Sequence, residues 1–501
     1  MEDASARRTR SRAACLLLVI AGVIVRIPQL SHPLAGDHAF RQTQTAFGIR
    51  EYAAHGINLL QSPLPVFGGA TDVPMEFPLF QAIGRVIMLL GIDDALAGRL
   101  AALISFQAAA VLWWNVQRRW RGATWATMTL VLVEFLPFGL HWGAACLIDF
   151  FSVACGLCMV LGFDVWLRDR TRLRWFALAG CAVGAWLLFL VKVTTVPAMG
   201  ILLLLSAALA ARELGTRAVW RRTLAGLIAG PLPGLVALLL WTRHADIIKD
   251  HAAATRFLTS ANLREWNMGG SRLWTYAWGL IDGRVSEEIS GPALVALVLG
   301  VALGALFSGA RTRLLVLGLC VAALAPVLIF FNLFAVHSYY LIAIYPILAS
   351  LCALGPTILW ERSRQRTGVR VVSAALIALL LAGTAATPLG RSDVQDLATG
   401  TSPPRLALDL RKVTPPDAKI VTVGCDWDPQ TFYFAHRAGL MVRALDRRSV
   451  RAIWRQNDVR RYTYLARCDD HASIADFLPR GARWIPTSVN EVYRLYPPPG
   501  P

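Results

Sequence analysis

Acidic residues are scarce in this 501-residue sequence, and the signatures of several large enzyme classes are missing. Asp and Glu number 32 against 50 Lys and Arg, and charged residues make up only 16% of the chain. The sequence contains no P-loop, HExxH pair, GxSxG elbow or internal repeat. These absences exclude the nucleotide hydrolases, metalloproteases and α/β-hydrolases that such motifs define.

The nine cysteines lack the spacing of a metal site. Seven of them lie in or beside apolar segments, where Cys behaves as a small apolar residue. The other two are Cys425 and Cys468, in the C-terminal part. In an oxidising compartment these two could form a disulfide, but their spacing along the chain does not place their Cα atoms within bridging distance.

Long apolar stretches dominate the rest of the chain, which is 55% hydrophobic with a mean hydropathy of +0.49. A helix that crosses the hydrocarbon core of about 30 Å needs roughly 17 to 25 apolar residues. Eleven stretches approach this length: 13–30, 95–117, 123–139, 144–166, 175–191, 194–211, 223–241, 291–308, 314–334, 339–359 and 371–387. The sequence therefore predicts an α-helical polytopic membrane protein with about 11 transmembrane helices.

Arginines fall on alternate loops between these stretches. They occupy the N-terminal residues 1–12 and the loops near 118–121, 168–174, 212–222, 311–313 and 362–370, whereas the short turns near His141 and His337 contain no Lys or Arg. The positive-inside rule places the arginine-rich loops in the cytoplasm. Because topology accounts for most of the net charge of +18, we expect no nucleic-acid partner, although membrane lipids remain partners.

The alternation also predicts the domain organisation. A cytoplasmic N-terminus at 1–12 precedes a transmembrane bundle at 13–387, which carries outer loops at 31–94 and 242–290. The first outer loop contains the runs AFRQTQTAFGIREYAAHG and FPLFQAIGRVIMLLG, which predict two interfacial helices. In the tail, 388–501, the runs AKIVTVG and RWIPTSVNEVYRLY predict short strands and a small C-terminal α/β domain.

Two carboxylates near the outer face are candidates for catalysis. Asp37 follows the first apolar stretch and is flanked by His38, Arg41 and Gln42. A carboxylate so placed can act as a general base towards a substrate hydroxyl, although an N-cap role for the next helix fits Asp37 as well. Asp149 stands near the outer end of the fourth stretch, where a catalytic role and an ion pair within the bundle both fit.

Cations and aromatic residues also gather at the outer face. Candidates for binding a phosphate are Lys192, His337, Arg256 and His251, and candidates for contacting substrate are His38, Arg41, Gln42, Glu76, Tyr339 and Tyr340. Interfacial anchoring and helix-dipole contacts would account for several of them. Together they suit transfer from a phosphate-linked donor, in which a carboxylate activates the acceptor hydroxyl and cations stabilise the departing phosphate.

At this point the sequence resembles the GT-C glycosyltransferases of the protein mannosyltransferase and aminoarabinose transferase superfamily, which includes family 39-type enzymes. The resemblance rests on the order of polar residues along the bundle and on Arg41-Gln42-Thr43-Gln44-Thr45-Ala46, Asn58-Leu59-Leu60 and Glu76-Phe77-Pro78-Leu79. Asp37 and Asp149 match the two acids of that family. The chain departs from it where Asp37 is followed by His38 instead of a second acid, and where Glu76-Phe77-Pro78 replaces the more usual His-Pro-Pro or Lys-Pro-Pro.

The resemblance implies a GT-C fold and an inverting transfer of a sugar from a polyprenyl-phosphate donor. The expected acceptor is an envelope glycolipid, a polysaccharide or a protein outside the cytoplasmic (inner) membrane of a bacterium. No cofactor is firmly implied, and a divalent metal ion remains open. Two alternatives compete with the transferase: a transporter or flippase of a lipid-linked saccharide, and a non-catalytic assembly subunit.

The topology is directly testable. Reporter fusions should place the N-terminus and the 361–370 loop in the cytoplasm and the tail after Pro388 on the other side, because arginine-rich loops stay inside. Alkaline phosphatase and green fluorescent protein fusions report the two sides. A cytoplasmic signal from fusions after Pro388 would overturn the count of eleven spans.

Overall fold

The computed structural model describes residues 2–267, 275–289, 291–362, 367–387, 402–442, 452–453, 455–457, 461–468, 483–487 and 491–496. The helices over these residues are α1 Glu2–Arg26, α2 Ala39–His55, α3 Leu79–Ile87, α4 Asp94–Trp120, α5 Ala123–Phe135, α6 Pro137–Trp142, α7 Asp149–Arg168, α8 Leu173–Val191, α9 Val196–Leu214, α10 Thr216–Ala229, α11 Pro231–Asp250, α12 Ser260–Asn267, α13 Thr275–Ile289, α14 Gly291–Leu306, α15 Ala310–Ile329, α16 Phe331–Val336, α17 Tyr345–Arg362, α18 Thr367–Ala385, α19 Arg405–Val413 and α20 Gln430–Ala435. The strands are β1 Pro63–Phe67, β2 Ala70–Asp72, β3 Lys419–Val423, β4 Ala438–Val442, β5 Tyr464–Arg467, β6 Arg483–Pro486 and β7 Val492–Tyr496.

Each of the eleven predicted membrane stretches is mainly helical, three of them across a junction between two helices (α5 and α6, α10 and α11, α15 and α16), which confirms an α-helical polytopic protein. Among the described residues, seven helical stretches are long and apolar enough to cross a membrane: Thr9–Ser31, Asp94–Trp120, Asp149–Arg168, Leu173–Val191, Val193–Leu214, Thr216–Asp250 and Ala310–Ile329. Helices α5 and α14 and the Arg370–Ala385 part of α18 are apolar but shorter. Both interfacial runs of the first outer loop are also helical, as α2 and α3.

The helical stretch that contains the predicted span 223–241 is longer than that span. This stretch, Thr216–Asp250, has 35 residues and turns at Gly230 between α10 and α11. At 1.5 Å per residue such a stretch is about 50 Å long, and it exceeds a hydrocarbon core of about 30 Å. Lys249 therefore lies in the last turn of α11, whereas the sequence analysis placed it in a loop.

The chain divides into two compact units, which we describe separately. The helical unit consists of Met1–Ser31, Arg99–Leu240 and Arg264–Thr399. The loop unit consists of His32–Gly98, Trp241–Leu263 and Gly400–Pro501. The predicted start of the tail at 388 falls in the segment 388–401, which lies outside the described residues.

Helices α7 and α8 of the helical unit pack backbone against backbone. A Cβ atom at Gly162 would lie 2.4 Å from the carbonyl oxygen of Ala177, and one at Gly184 would lie 2.6 Å from that of Cys155. Glycine is therefore required at both positions. Close approach through small residues is the usual way for helices to associate in lipid, where apolar burial gives little driving force. This packing sets the distance between the ends of α7 and α8.

The loop unit contains a seven-stranded mixed sheet of order β2-β1-β4-β3-β5-β7-β6. Strand β3 pairs in parallel with β4 and β5, while β6 and β7 form an antiparallel pair. These five strands fall in the tail, where the two alternating runs predicted strands. Strands β1 and β2 come from the first outer loop, and β1 joins β4 through the pair Phe67 and Leu440. The sequence analysis did not predict these two strands.

A disulfide joins the two tail cysteines of the loop unit. Cys425 follows β3 and Cys468 follows β5, which are neighbouring parallel strands. Their Cα atoms are 5.0 Å apart and they form a disulfide bond. The structure thereby decides the question that spacing alone left open. Among the described residues the other seven cysteines form no disulfide: Cys146 lies between α6 and α7, and Cys15, Cys155, Cys158, Cys181, Cys320 and Cys352 lie in helices.

The disulfide predicts a countable labelling pattern. Protein denatured without reductant should take up maleimide-polyethylene glycol on seven cysteines, and on nine after reduction. The difference should vanish in the Cys425→Ser, Cys468→Ser double variant, which keeps the other thiols. Gel shifts count the adducts. Nine adducts on the unreduced wild-type protein would show that the bond does not form.

Candidate functional site

One end of the helical unit contains a buried ion pair. Asp149 is the first residue of α7, and Lys192 directly follows the last residue of α8. Lys192 Nζ lies 2.8 Å from Asp149 Oδ1, and the two side chains are 3% and 6% exposed. The structure therefore brings together two of the predicted site residues, which are 43 positions apart in the chain.

Two tyrosines lie beside the lysine in the helical unit. Lys192 Nζ is 5.1 Å from the ring centre of Tyr339 and 4.8 Å from that of Tyr340, within the range of a cation–π contact. The two rings stack with their centres 4.6 Å apart. His337 lies next to them, with its ring centre 5.5 Å from that of Tyr339. All five predicted residues of this unit thus form one cluster around Lys192.

The ammonium group of Lys192 retains donor capacity. An ammonium carries three N–H donors, and the one described acceptor at Nζ is Asp149 Oδ1, at 2.8 Å, which leaves at least two donors unused. Two residues further on, the buried hydroxyl of Thr194 has no hydrogen-bond partner among the described residues. Buried polar groups are normally satisfied, so two such donors in one short turn indicate a place for an anionic or polar ligand.

The turn that carries these donors is held by hydroxyl contacts that sequence analysis missed. Val193–Thr195 form one turn of 3-10 helix after Lys192. Thr195 Oγ1 lies 2.9 Å from Ser152 Oγ, which donates at 2.7 Å to the backbone oxygen of Asp149. A Thr-Thr pair two residues after a membrane lysine was the available signal. These contacts connect the first turn of α7, which carries Asp149, with the turn that follows Lys192.

The loop unit holds the other predicted acid in a different setting from the one expected. Asp37 is exposed, and the N-cap of α2 is His38, whose φ of 48° is left-handed. The N-cap role considered for Asp37 is therefore wrong. Gln42 Nε2 donates to the backbone oxygen of Asp37 at 3.0 Å, which fixes the segment before α2. An exposed carboxylate on a fixed segment is accessible to a substrate hydroxyl.

A second ion pair lies close to this segment in the loop unit. Arg41 Nη2 donates to Glu76 Oε1 at 2.5 Å, and Arg41 Nη1 donates to Gln44 Oε1 at 2.8 Å. The side chain of Arg41 is 8% exposed and that of Glu76 is 26% exposed. Glu76 precedes α3, as predicted, but its charge faces a guanidinium. The helix-dipole role that we considered for Glu76 is secondary to this ion pair.

The cations of the second outer loop make contacts of their own. Arg256 pairs with Asp250 at 2.9 Å on an exposed surface, and the exposed His251 lies against the backbone oxygen of Ile247. Lys249 is buried and donates to the backbone oxygen of Leu258 at 2.7 Å. Within the loop unit, Arg256 and His251 thus do not form a buried cluster comparable to that around Lys192.

The donor set of the described residues does not fit a metal site of three or more protein ligands. No group of three or more His, Cys, Asp or Glu side chains is arranged to hold a metal ion in the described part of the chain. Glu76, a candidate for contacting substrate, is paired with Arg41.

Known structures share the fold. ArnT from Cupriavidus metallidurans bound to undecaprenyl phosphate aligns with a TM-score of 0.64 at 16% identity, over 97% of this chain and 99% of ArnT. The archaeal oligosaccharyltransferase AglB from Archaeoglobus fulgidus, in complex with an inhibitory peptide and a dolichol-phosphate, aligns with a TM-score of 0.57 at 11% identity, over 92% of this chain and 69% of AglB. The chain has the GT-C fold.

This finding confirms the fold predicted from the sequence. A further GT-C structure, the Archaeoglobus fulgidus oligosaccharyltransferase in complex with Zn and sulfate, aligns with a TM-score of 0.52 at 12% identity, over 91% of this chain and 67% of that one. No protein-family model matches the sequence, and no curated protein matches it.

The buried ion pair predicts a pattern of stabilities. Lys192→Met or Asp149→Leu alone should destabilise the protein by about 3–5 kcal/mol, because each leaves a buried charge without its partner. The double variant should unfold close to the wild-type temperature, since both charges are then gone. Thermal unfolding in detergent measures this. A double variant as unstable as the sum of the single variants would contradict the pairing.

Proposed function

We propose that this chain is an integral-membrane glycosyltransferase of the GT-C type. It transfers a sugar from a polyprenyl-phosphate donor to an envelope glycolipid, polysaccharide or protein on the outer side of a bacterial cytoplasmic membrane, with inversion. Asp37 is the proposed general base, and Lys192 with His337 is the proposed binding site for the donor phosphate.

The observation that carries the proposal is the buried ammonium of Lys192 with unused donors. A lipid-linked phosphate brings an anion to the membrane surface, and three N–H donors on a compact charge suit a phosphate oxygen. The stacked rings of Tyr339 and Tyr340 line one side of that ammonium. Asp149 holds the ammonium in position and offsets its charge when no ligand is bound.

The fold supports the same chemistry. ArnT, which shares it, binds undecaprenyl phosphate in its crystal structure, and AglB is an oligosaccharyltransferase that binds a dolichol-phosphate. In this chain, Asp37 is the exposed carboxylate of the first outer loop, where it can accept the proton of an acceptor hydroxyl. Proton removal makes that hydroxyl a better nucleophile towards the anomeric carbon.

The Asp37→Asn variant tests the proposed base. Transfer from a polyprenyl-phosphate sugar should fall by about 100-fold to 10,000-fold, the usual contribution of general-base catalysis. Binding of the donor should persist, because the phosphate site of the helical unit is intact. Purified protein in nanodiscs and a radiolabelled donor give both quantities.

A matched control is Asp93→Asn in the same unit. Asp93 is exposed and its Oδ1 accepts a hydrogen bond from the backbone N–H of Leu96 at 2.7 Å, a capping contact that Asn reproduces. Its transfer rate should equal that of the wild-type protein. Equal transfer by Asp37→Asn and Asp93→Asn would reject Asp37 as the base.

The stable Lys192→Met, Asp149→Leu double variant tests the phosphate site in the same assay. It should fold normally yet bind undecaprenyl phosphate weakly, because the ammonium is gone. Wild-type affinity for undecaprenyl phosphate in that variant would assign the ion pair to stability alone.

A further inference from the structure

The first outer loop contains a fixed cation beside its second acid. Arg41 lies in the first turn of α2, and its guanidinium contacts Glu76 and Gln44 through different nitrogens. Guanidinium stays protonated at every accessible pH, and its planar donors match a carboxylate. The amide of Gln44 is itself oriented by a contact of 3.2 Å between its Nε2 and Met75 Sδ.

A second cation of the loop unit adds a longer-range attraction to the same carboxylate. Lys249, at the end of α11, interacts with Glu76 electrostatically, but its ion-pair partner is Asp246 at 3.4 Å. The ammonium of Lys249 is held by the backbone oxygen of Leu258. Arg41 is thus the cation in direct contact with Glu76.

This arrangement disfavours a divalent metal ion at Glu76. A metal ligand must offer a carboxylate oxygen whose charge is available, whereas Glu76 Oε1 already accepts the short hydrogen bond from Arg41. An added double positive charge would also be repelled by the guanidinium of Arg41, which contacts Glu76 directly. The neighbours of Glu76 in the chain, Met75 and Phe77, supply no side-chain oxygen.

We propose that this chain needs no divalent metal for transfer, because Arg41, supported by Lys249, supplies the fixed positive charge next to Glu76. The proposal rests on the transferase function proposed above. Arg41, four residues after Asp37, then acts as a positioning residue: it holds Glu76 against the first turn of α2. It also distinguishes this chain from the GT-C structure that contains Zn.

Metal binding tests the proposal independently of transfer. Full-length protein without a polyhistidine tag is stripped with EDTA, incubated with excess Zn²⁺ or Mn²⁺, and freed of unbound metal before mass-spectrometric metal analysis. Wild type, Glu76→Gln and the control Glu51→Gln, a half-buried glutamate of the same helix as Arg41, should all retain the same substoichiometric amount. Stoichiometric metal in wild type and Glu51→Gln that is lost in Glu76→Gln would overturn the proposal.

Transfer assays give the second arm. EDTA-treated wild type should keep its full rate. Arg41→Ala should lose roughly 10-fold to 100-fold, the range for one hydrogen bond to a charged group, and Arg41→Lys should recover part of it by restoring the charge. Loss of transfer in EDTA that added metal restores would contradict the proposal. If no protein transfers sugar, the proposed function fails while the metal analysis still decides this inference.

Discussion

Charges removed from water inside the helical unit must be compensated by other protein groups, and this constraint organises the bundle. An isolated buried ion costs several kcal/mol even after the protein relaxes. Arg26 and Glu134 form such a compensated pair: both side chains are fully buried and lie 3.0 Å apart. The guanidinium also donates to the backbone oxygens of Gly22, Glu134 and Gly139, and its carbon lies 4.2 Å from the ring centre of Phe106. Each nitrogen of Arg26 therefore has an acceptor, although Glu134 Oε1 has no hydrogen-bond partner among the described residues.

The pair of Lys192 and Asp149 differs in this respect. Its charges are balanced, but the ammonium has hydrogen-bonding capacity that no described residue uses. The carboxylate of Asp149 stabilises the charged form of Lys192 inside the bundle. Because few acceptors surround the ammonium, its remaining N–H donors can bind a ligand. The same comparison separates Lys192 from Asp164, whose carboxylate accepts from Arg119, Trp120 and Ser206. Unused donors, more than charge itself, single out Lys192 as the proposed phosphate ligand.

The sequence predicts the helices well because their signals are local. Apolar length is a property of each stretch, and arginine placement is a property of the loop beside it. Every predicted stretch is mainly helical. Lys192 and Asp149 were both recognised as candidates from their places at the ends of stretches. Their contact could not be predicted, because it depends on the close packing at Gly162 and Gly184 and on the turn that follows α8. The predicted stretch 223–241 is shorter than α10 and α11 together because apolar length does not register the charged residues at their two ends, such as Arg222 and Arg243.

The loop unit was predicted less completely because its structure is non-local. Strand β1 pairs with β4, and the two lie more than 350 residues apart, a pairing that no window of sequence contains. The N-cap of α2 is the left-handed His38, one residue after the Asp37 that the sequence offered for this position. Sequence also shows charges without showing which are already compensated. Arg41, Lys249 and Arg256 each contact an acid, so their charges largely serve the protein's own carboxylates. The number of cations along the chain is therefore larger than the number that can bind a phosphate. Burial and unused N–H donors distinguish Lys192 from the other cations.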